Sequence, residues 1–246
     1  MRIAVLTDIH ANREAFEAVL ADVAARGADR IVILGDVVGY GPDPEWCCEK
    51  VAALLAAGAV CLRGNHDSAV SGTAEGMNSH ARSAIDWTRT RLSAAQTLFL
   101  GALPMTATAD DVLFVHASAK EPEAWSYVTT AREAVPSFRA CDARVILCGH
   151  VHVPLLVSYD RGGMVREQVF PAGQAIPLSR SHRWLAVVGA VGQPRDGVPE
   201  AGYVMLDTGA NDLTLRRVAY DIGATVRKIR DAGLSESLAL RLLRGT

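Results

Sequence analysis

The sequence has little of what marks membrane, secreted or disulfide-bonded proteins. Its longest apolar runs fall well short of the ~20 residues that cross a bilayer. The first strand pattern follows directly after Met1 and Arg2, which leaves no room for a signal-peptide core. The chain has five cysteines, an odd number, and none of them forms a CxxC pair. We therefore expect a cytoplasmic protein with reduced thiols and no contact with a membrane.

The sequence also has a small net charge and few aromatic residues. The formal net charge is −2, so the chain offers no broad basic surface to a polynucleotide, and aromatic residues make up only 6% of it. Base stacking along a strand needs aromatic rings beside a positive groove, and the sequence marks neither. These scarcities argue against an extended nucleic-acid surface, and a small anion would have to be attracted by local charge.

The chain is long enough and hydrophobic enough to form a large buried core. With 246 residues, 50% of them hydrophobic, the chain can build one large core, and we expect a single domain over residues 1–246. Strand and helix patterns alternate up to about residue 154, with a polar loop at residues 68–76. The helices are expected at residues 12–26, 44–57 and 78–100. Two hairpin patterns and two short helices then follow, so we predict an α/β fold, a four-layer α-β-β-α sandwich with two mixed β-sheets face to face between helices.

Five short apolar runs each end in a residue that can bind a metal. They are IAVLT before Asp8 and His10, IVILG before Asp36, VCLRG before Asn65 and His66, VLFV before His116, and VILCG before His150 and His152. Runs rich in Val, Ile and Leu and bounded by glycine or polar residues are typical of buried parallel strands. Because sites in open α/β sheets form at the carboxyl ends of the strands, we expect these side chains to converge on one edge of one sheet.

The donor atoms of this set predict two transition-metal ions. Imidazole nitrogen combined with carboxylate oxygen suits manganese, zinc, iron, nickel or cobalt better than magnesium or calcium. A carboxylate has two oxygens, so Asp36, in the middle of the set, can bridge two ions about 3.5–4 Å apart. Two divalent ions outweigh the charges of Asp8 and Asp36, and the resulting positive site would attract phosphate and lower the pKa of a bound water.

The ordered motifs resemble those of the calcineurin-like metallophosphoesterase superfamily, and of its bacterial phosphodiesterase-like branch in particular. The motifs are Asp8-x-His10, Gly35-Asp36, Gly64-Asn65-His66-Asp67, His116 and Gly149-His150-x-His152. The resemblance implies one metal held by Asp8, His10, Asp36 and His152, and a second held by Asp36, Asn65, His116 and His150. By the same resemblance His66 is no ligand but faces the phosphate as a catalytic hydrogen-bond donor or acid. Its neighbour Asp67 is expected to orient the ring of His66 and to raise its pKa.

Three further residues are candidates for substrate contacts. Asn12 follows His10 by two residues, although asparagine at that place also suits the N-cap of the first helix. Tyr40, in the turn Gly39-Tyr40-Gly41-Pro42, either lines the substrate pocket or packs as an aromatic side chain in a turn. Arg195 belongs to a loop, Gly192–Gly197, that resembles one in the bacterial branch, and its guanidinium either clamps phosphate or forms a surface ion pair.

The resemblance implies an enzyme, a dinuclear metal-dependent phosphoesterase in which metal-bound hydroxide attacks a small phosphomonoester or phosphodiester. An alternative within the same mechanism is a hydrolase of nucleotides such as dinucleoside polyphosphates. An alternative of another class is a non-catalytic metal-binding scaffold for other proteins, and the presence of His66 with a full ligand set argues against it. An unpaired edge strand in the C-terminal half would support a homo-oligomer.

Overall fold

Twelve strands and eight α-helices make up the computed structural model, which describes residues 1–246. The strands are β1 (Arg2–Leu6), β2 (Arg30–Ile33), β3 (Val60–Cys61), β4 (Thr106–Ala109), β5 (Val112–Val115), β6 (Val145–Cys148), β7 (Leu155–Tyr159), β8 (Val165–Gln168), β9 (Ala175–Pro177), β10 (Arg183–Val187), β11 (Ala201–Asp207) and β12 (Asp212–Val218). The helices are α1 (Arg13–Ala25), α2 (Pro44–Ala56), α3 (Asn65–Ser71), α4 (Ser79–Arg91), α5 (Ala94–Gly101), α6 (Ala131–Ala140), α7 (Ile222–Asp231) and α8 (Glu236–Arg244). A short 3₁₀ turn, Pro122–Ala124, lies between β5 and α6.

The strands form two six-stranded sheets of mixed direction. The first sheet has the order β3-β2-β1-β11-β12-β9, in which β1, β2 and β3 are parallel and the other neighbours are antiparallel. The second has the order β4-β5-β6-β10-β7-β8, with β5, β6 and β10 parallel at its centre. Each sheet therefore combines parallel strands, whose carboxyl ends share an edge, with the antiparallel hairpins that the sequence predicts.

Alternation along each strand divides the apolar side chains between two cores. In β1, Ile3 and Val5 lie in the core between the sheets, together with Phe114 and Leu147 of the second sheet. The alternate residues of β1 pack on the other side against α1. The outer face of the second sheet is covered by α6 in the same manner. The order is helices, sheet, sheet, helix, and the predicted four-layer α-β-β-α sandwich is confirmed.

Local differences from the sequence-based expectations lie around the third strand. The helix expected at residues 78–100 is two helices, because Ser93 starts a new one by exchanging hydrogen bonds with Gln96 in a capping box. The loop expected at residues 68–76 is helical in its first part, since α3 starts at Asn65 and buries Ala69 and Val70. Placing a helix directly after β3 fixes Asn65 and His66 in its first turn.

The C-terminal helices cover the side of the molecule next to Tyr40. Side chains of α7 and α8, among them Val226 and Leu242, pack with Tyr40 and with Ala81 and Ala84 of α4. These two helices confirm the pair of short helical patterns at the end of the sequence. No helix in the structure combines the length and the apolar character that a membrane span requires.

Candidate metal centre

All seven predicted metal ligands lie close together, but they come from two sheets. Asp8, His10, Asp36 and Asn65 follow β1, β2 and β3 of the first sheet, and His116, His150 and His152 follow β5 and β6 of the second. The expectation that one edge of one sheet holds the whole set is therefore wrong. Because the sheets face each other, the carboxyl ends of their parallel strands lie side by side and both supply donors.

The donors fall into three overlapping groups around Asp36. One group is Asp8, His10 and His152, a second is Asp36, His116 and His150, and a third, His10, Asp36 and His66, overlaps both, with the donor atoms of each group within 4.8 Å of one another. The Oδ2 atom of Asp36 lies 3.6 Å from Nε2 of His10 and 3.5 Å from Nε2 of His116. Asn65 joins the second group, since its Oδ1 lies 3.1 Å from Nε2 of His116. Asp36 thus occupies the position that a bridging carboxylate requires.

Backbone carbonyls fix the orientation of three histidine rings. The Nδ1 atoms of His10, His116 and His152 lie 3.2, 3.0 and 2.6 Å from the carbonyl oxygens of Val38, Leu34 and Gln193 respectively. A carbonyl can only accept, so each Nδ1 carries a proton and donates it. The Nε2 atoms of these rings are therefore the ones left for a metal, which would displace any proton on them, and this is the arrangement found around protein-bound metal ions.

In Asp8 and in Asp36, one carboxylate oxygen accepts hydrogen bonds from the protein and the other faces the donor groups. Oδ2 of Asp8 accepts from the backbone N–H of His150 and from the hydroxyl of Thr7, both at 2.9 Å, while its buried Oδ1 has no hydrogen-bond partner. Oδ1 of Asp36 accepts from the backbone N–H of His66 at 2.8 Å.

Acceptor atoms consequently face each other at short range. Oδ1 of Asp8 lies 3.2 Å from Nε2 of His152, which itself lies 3.0 Å from Nε2 of His10. The buried Nε2 of His150 also lacks a hydrogen-bond partner. Lone pairs at these distances repel unless a proton or a cation lies between them, so the donor set fits metal ions.

Burial and neighbouring charges set the ionisation of the centre. Burial would raise the pKa of Asp36, but His116, His66 and His10 outweigh it and hold that pKa well below its ordinary value. Burial lowers the pKa of His10 well below its ordinary value and that of His150 to about 4. For His116, the charge of Asp36 overcomes the effect of burial and raises the pKa to about 9. The centre therefore holds ionised carboxylates, mostly neutral imidazoles and one position that favours a cation.

The backbone is strained where it carries the predicted ligands. Five of the seven have φ in the left-handed region, namely Asp8 (53°), His10 (48°), Asp36 (53°), His150 (67°) and His152 (66°). Each such residue costs about 1–3 kcal/mol, and it persists only where the surrounding structure holds it in place. Concentration of this strain at the strand ends is typical of a functional site.

Two glycines allow the chain to pass directly against the aspartates. A Cβ atom on Gly64 would collide with the carboxylate of Asp36, and one on Gly149 would collide with the side chains of Thr7 and Asp8. Any side chain at either position must displace a carboxylate. The glycines of the Gly64-Asn65-His66 and Gly149-His150-x-His152 motifs are therefore required by close packing against the candidate metal centre.

His66 lies at the centre, whereas Asp67 does not reach it. His66 lines the adjoining cavity, its buried Nδ1 lacks a hydrogen-bond partner, and burial lowers its pKa to about 4. The carboxylate of Asp67 instead accepts from the backbone N–H groups of Val37 and Gly64, each at 3.0 Å. The expectation that Asp67 orients His66 and raises its pKa is wrong, because Asp67 is used in capping α3 and in tying that helix to the turn after Asp36. His66 also lies within donor distance of His10 and Asp36.

A cavity of about 450 Å³ opens above the donors, and two of the three candidate substrate residues line it. Tyr40 does so with its ring centroid 4.5 Å from that of His66, and it also packs against α7 and α8. Arg195 lines the cavity with its guanidinium 5.7 Å from the Tyr40 ring centre; its Nη2 donates to Gln193 at 2.8 Å and it forms no ion pair. Its positive charge is therefore free to meet a phosphate.

Asn12 lies outside this cavity. Its Oδ1 accepts from the backbone N–H of Ala15 at 3.1 Å, which makes it the N-cap of α1, and its Nδ2 donates to the carbonyl of Gly192 at 2.8 Å. Both ends of the amide are thus used within the protein. The N-cap role of Asn12 is confirmed, and its side chain also holds the Gly192 turn, while a contact with substrate stays a prediction.

Sequence reasoning missed two aromatic residues of the cavity, Trp125 and Tyr127. The ring of Tyr127 stacks on His150 with centroids 4.2 Å apart, and that of Trp125 meets His116 edge-on at 5.7 Å. Aromatic residues are few in the chain, yet three of them line this one cavity. Their position in the segment that joins the strand before His116 to α6 is the feature that could have indicated them.

Comparison with known proteins agrees with this architecture. Residues 1–211 match the family model described as the calcineurin-like phosphoesterase superfamily domain, so α7 and α8 lie beyond the matched region. The chain is 36% identical over 250 residues to the uncharacterized protein MJ0912 of Methanocaldococcus jannaschii, covering 99% of this chain and 98% of that protein.

Two solved structures also resemble the whole chain. A metallophosphoesterase from Sphaerobacter thermophilus is 40% identical, with a TM-score of 0.88 and complete coverage of both chains. The hypothetical protein PH1004 from Pyrococcus horikoshii OT3 has a TM-score of 0.80 at 18% identity and covers 100% of this chain and 98% of its own. At that identity the second likeness shows the fold alone.

Proposed function

Because the chain belongs to the calcineurin-like phosphoesterase superfamily, we propose that it is a metal-dependent phosphohydrolase acting on a small phosphomonoester or phosphodiester. One observation carries the proposal. Two groups of buried donors, one of Asp8, His10 and His152 and one of Asp36, His116 and His150, adjoin through the 3.6 Å contact of His10 with Asp36 and lie beside a cavity of about 450 Å³, a size typical of small-molecule sites. A positively charged side chain, Arg195, lines the same cavity.

The residues divide into those that would hold metal and those that would meet the substrate. Asp8, His10, Asp36 and His152 would hold one ion, and Asp36, Asn65, His116 and His150 the other. Two divalent transition-metal ions, of manganese, zinc, iron or nickel, would supply the charge that holds a phosphate and activates an attacking water. Ligands fixed by backbone hydrogen bonds, as His10 and Asp8 are, keep this arrangement in place before the substrate arrives.

Two side chains would act on the substrate directly. Arg195 would pair with a non-bridging phosphate oxygen, because its charge is unpaired and its planar guanidinium fits phosphate. His66 would donate a hydrogen bond or a proton to the oxygen that leaves, since it lines the cavity beside Asp36. Burial of His66 would limit the water around the leaving oxygen.

The scaffold alternative has less support. A protein that only binds partners does not require a cavity over the metal donors, nor a histidine and an arginine lining it. The strained backbone at five ligands is also a cost that a purely structural site would not retain. These features favour catalysis over a scaffold role.

The test is turnover of two synthetic esters by the purified protein with manganese. We expect hydrolysis of bis-p-nitrophenyl phosphate, of p-nitrophenyl phosphate, or of both, and its loss on chelation. The substitution Asp36→Asn should abolish the activity, while Asp160→Asn, in an exposed turn that keeps its hydrogen bonds, should not change it. Inactivity with both esters at two bound metals per chain would overturn the proposal and favour the scaffold.

A further inference from the structure

The cavity above the donors has an aromatic side. Trp125 and Tyr127 line it next to His150, and Met77 and Asn78 of the segment before α4 line it as well. A site that handled only a phosphate would need charged and polar groups, as Asp36, His66 and Arg195 provide. Two aromatic rings beside them indicate that the substrate carries a second, planar and apolar part.

Tyr127 is placed in a way that hydrophobic packing alone does not explain. It is 58% exposed, although a large aromatic side chain such as tyrosine is usually more buried than this. One face of the ring stacks on His150 at an interplanar angle of 27°, and the residue lines the cavity. Trp125, which is half-buried, contacts His116 by its edge. Both rings thus lie on ligands of the second donor group and not in one of the hydrophobic cores.

The segment that carries the two rings is held in a defined shape. Glu121 and Trp125, with φ of 50° and 51°, bracket the 3₁₀ turn Pro122–Ala124 in left-handed backbone conformations. Val128, which is buried against the second sheet, anchors the other end of the segment. A loop fixed at both ends presents Trp125 and Tyr127 to the cavity without the entropy loss of ordering a flexible one.

We propose that Trp125 and Tyr127 form an aromatic wall that stacks on the nucleobase of the substrate, so that the enzyme prefers nucleoside phosphoesters to sugar phosphates. The inference rests on the proposed function, because it assumes that the phosphate binds at the Asp36 centre. A nucleobase fits better than an aliphatic group because it offers a flat π-face to the rings and polar edges to the side chains of Thr73, Glu75 and Asn78, which line the same cavity. A mononucleotide-sized ligand is favoured over a polynucleotide, since the cavity is about 450 Å³ and the chain carries a net charge of −2.

The experiment compares two substrates that differ only in the base. Adenosine 5′-monophosphate and ribose 5-phosphate test the monoester, and the methyl esters of the same two phosphates test the diester. With manganese, kcat/KM for the nucleotide should exceed that for the sugar phosphate by about fivefold or more, mainly through KM. The ratio should fall towards one in Tyr127→Leu and in Trp125→Leu, and it should survive in Tyr127→Phe, which keeps the ring.

A control variant distinguishes the effect of removing the aromatic wall from the effect of removing any tryptophan. Trp87 is half-buried on α4 beside Arg91 and lies outside the cavity, so Trp87→Leu should leave the ratio and the activity unchanged. Manganese content and circular dichroism of each variant report whether it folds and keeps its metals. A loss of the ratio in Trp87→Leu equal to that in Trp125→Leu would overturn the assignment.

The experiment gives different results if the aromatic-wall proposal is wrong and if the hydrolase proposal is wrong. Hydrolysis of both members of a pair at equal kcat/KM by the wild-type protein overturns the wall and leaves the hydrolase standing. If no ester is hydrolysed, binding of adenosine 5′-monophosphate and ribose 5-phosphate is measured by tryptophan fluorescence quenching. Binding that requires the base and is lost in Tyr127→Leu supports the wall without the hydrolase, and equal or absent binding overturns it.

Discussion

His10 and His152 are 142 residues apart in the sequence, yet their Nε2 atoms lie 3.0 Å from each other. Each ring is turned by a hydrogen bond from its Nδ1 to a backbone carbonyl, so both Nε2 lone pairs point into the same space. Only a cation or a shared proton can relieve this repulsion. Metal binding should therefore stabilise the fold as well as provide the chemistry.

The first prediction concerns this stabilisation. Manganese at about 100 times its dissociation constant should raise the melting temperature of the metal-free protein by about 5–10 °C, and a chelator should reverse the shift. His10→Ala should lose most of the shift because it removes one of the paired donors. His80→Ala, at an exposed histidine on α4, should keep it. Equal shifts in both variants, measured by scanning calorimetry, would contradict the assignment of His10 as a ligand.

The second prediction separates catalysis from metal binding at His66. His66→Ala should keep two metal ions per chain, because the remaining donors are unchanged, and should lower kcat by about 10²–10⁴-fold. Metal content by mass spectrometry and single-turnover kinetics provide the two measurements. His66 lies within donor distance of His10 and Asp36, so loss of one equivalent of metal would show that it is a ligand instead.

The third prediction assigns Asp67 to stability. Its carboxylate accepts from three backbone N–H groups, those of Val37 and Val38 after Asp36 and that of Gly64 at the N-cap of α3. Asp67→Ala leaves these buried donors unpaired and should lower the free energy of unfolding by about 2–4 kcal/mol. Urea denaturation measures this loss. Asp86→Ala, which breaks an exposed i,i+3 ion pair, serves as the control and should change stability by less than about 0.5 kcal/mol. A small effect at Asp67 would count against the anchoring role.

The fourth prediction tests the close approach at Gly149. A methyl group there would collide with Thr7 and with the carboxylate of Asp8, so Gly149→Ala should weaken manganese binding by at least about tenfold. Isothermal titration with manganese measures the affinity. Gly162→Ala, in the turn between β7 and β8, should bind manganese like the wild-type protein. Unchanged affinity in Gly149→Ala would mean that Asp8 can move without loss, against its assignment as a fixed ligand.

The sequence indicates much of the fold because its strands are marked locally. Apolar runs bounded by glycine, as before Asp36 and His150, predict the strands, and the alternation with helical patterns predicts the layers. The ligand candidates come from the same boundaries. Local patterns do not show which strands pair with each other. The division of the donors between two sheets is therefore seen only in the structure.

Side-chain direction is the other information that the sequence withholds. Asp67 follows His66 directly, yet the first turn of α3 directs its carboxylate to backbone N–H groups instead of to the imidazole. Trp125 and Tyr127 follow no recognisable pattern, and only the folded chain brings their loop onto His116 and His150. Contacts between residues distant in the sequence decide such details, and composition or spacing does not encode them.

The position of the metals tests the central claim most directly. Crystals grown with manganese and measured at an energy with strong manganese anomalous scattering should show two peaks about 3.5–4 Å apart, one on each side of the Asp36 carboxylate. One ion should lie among Asp8, His10 and His152, and the other among Asn65, His116 and His150. A single peak, or two peaks that do not share Asp36, in crystals of protein that hydrolyses phosphoesters would contradict a dinuclear centre organised by that residue.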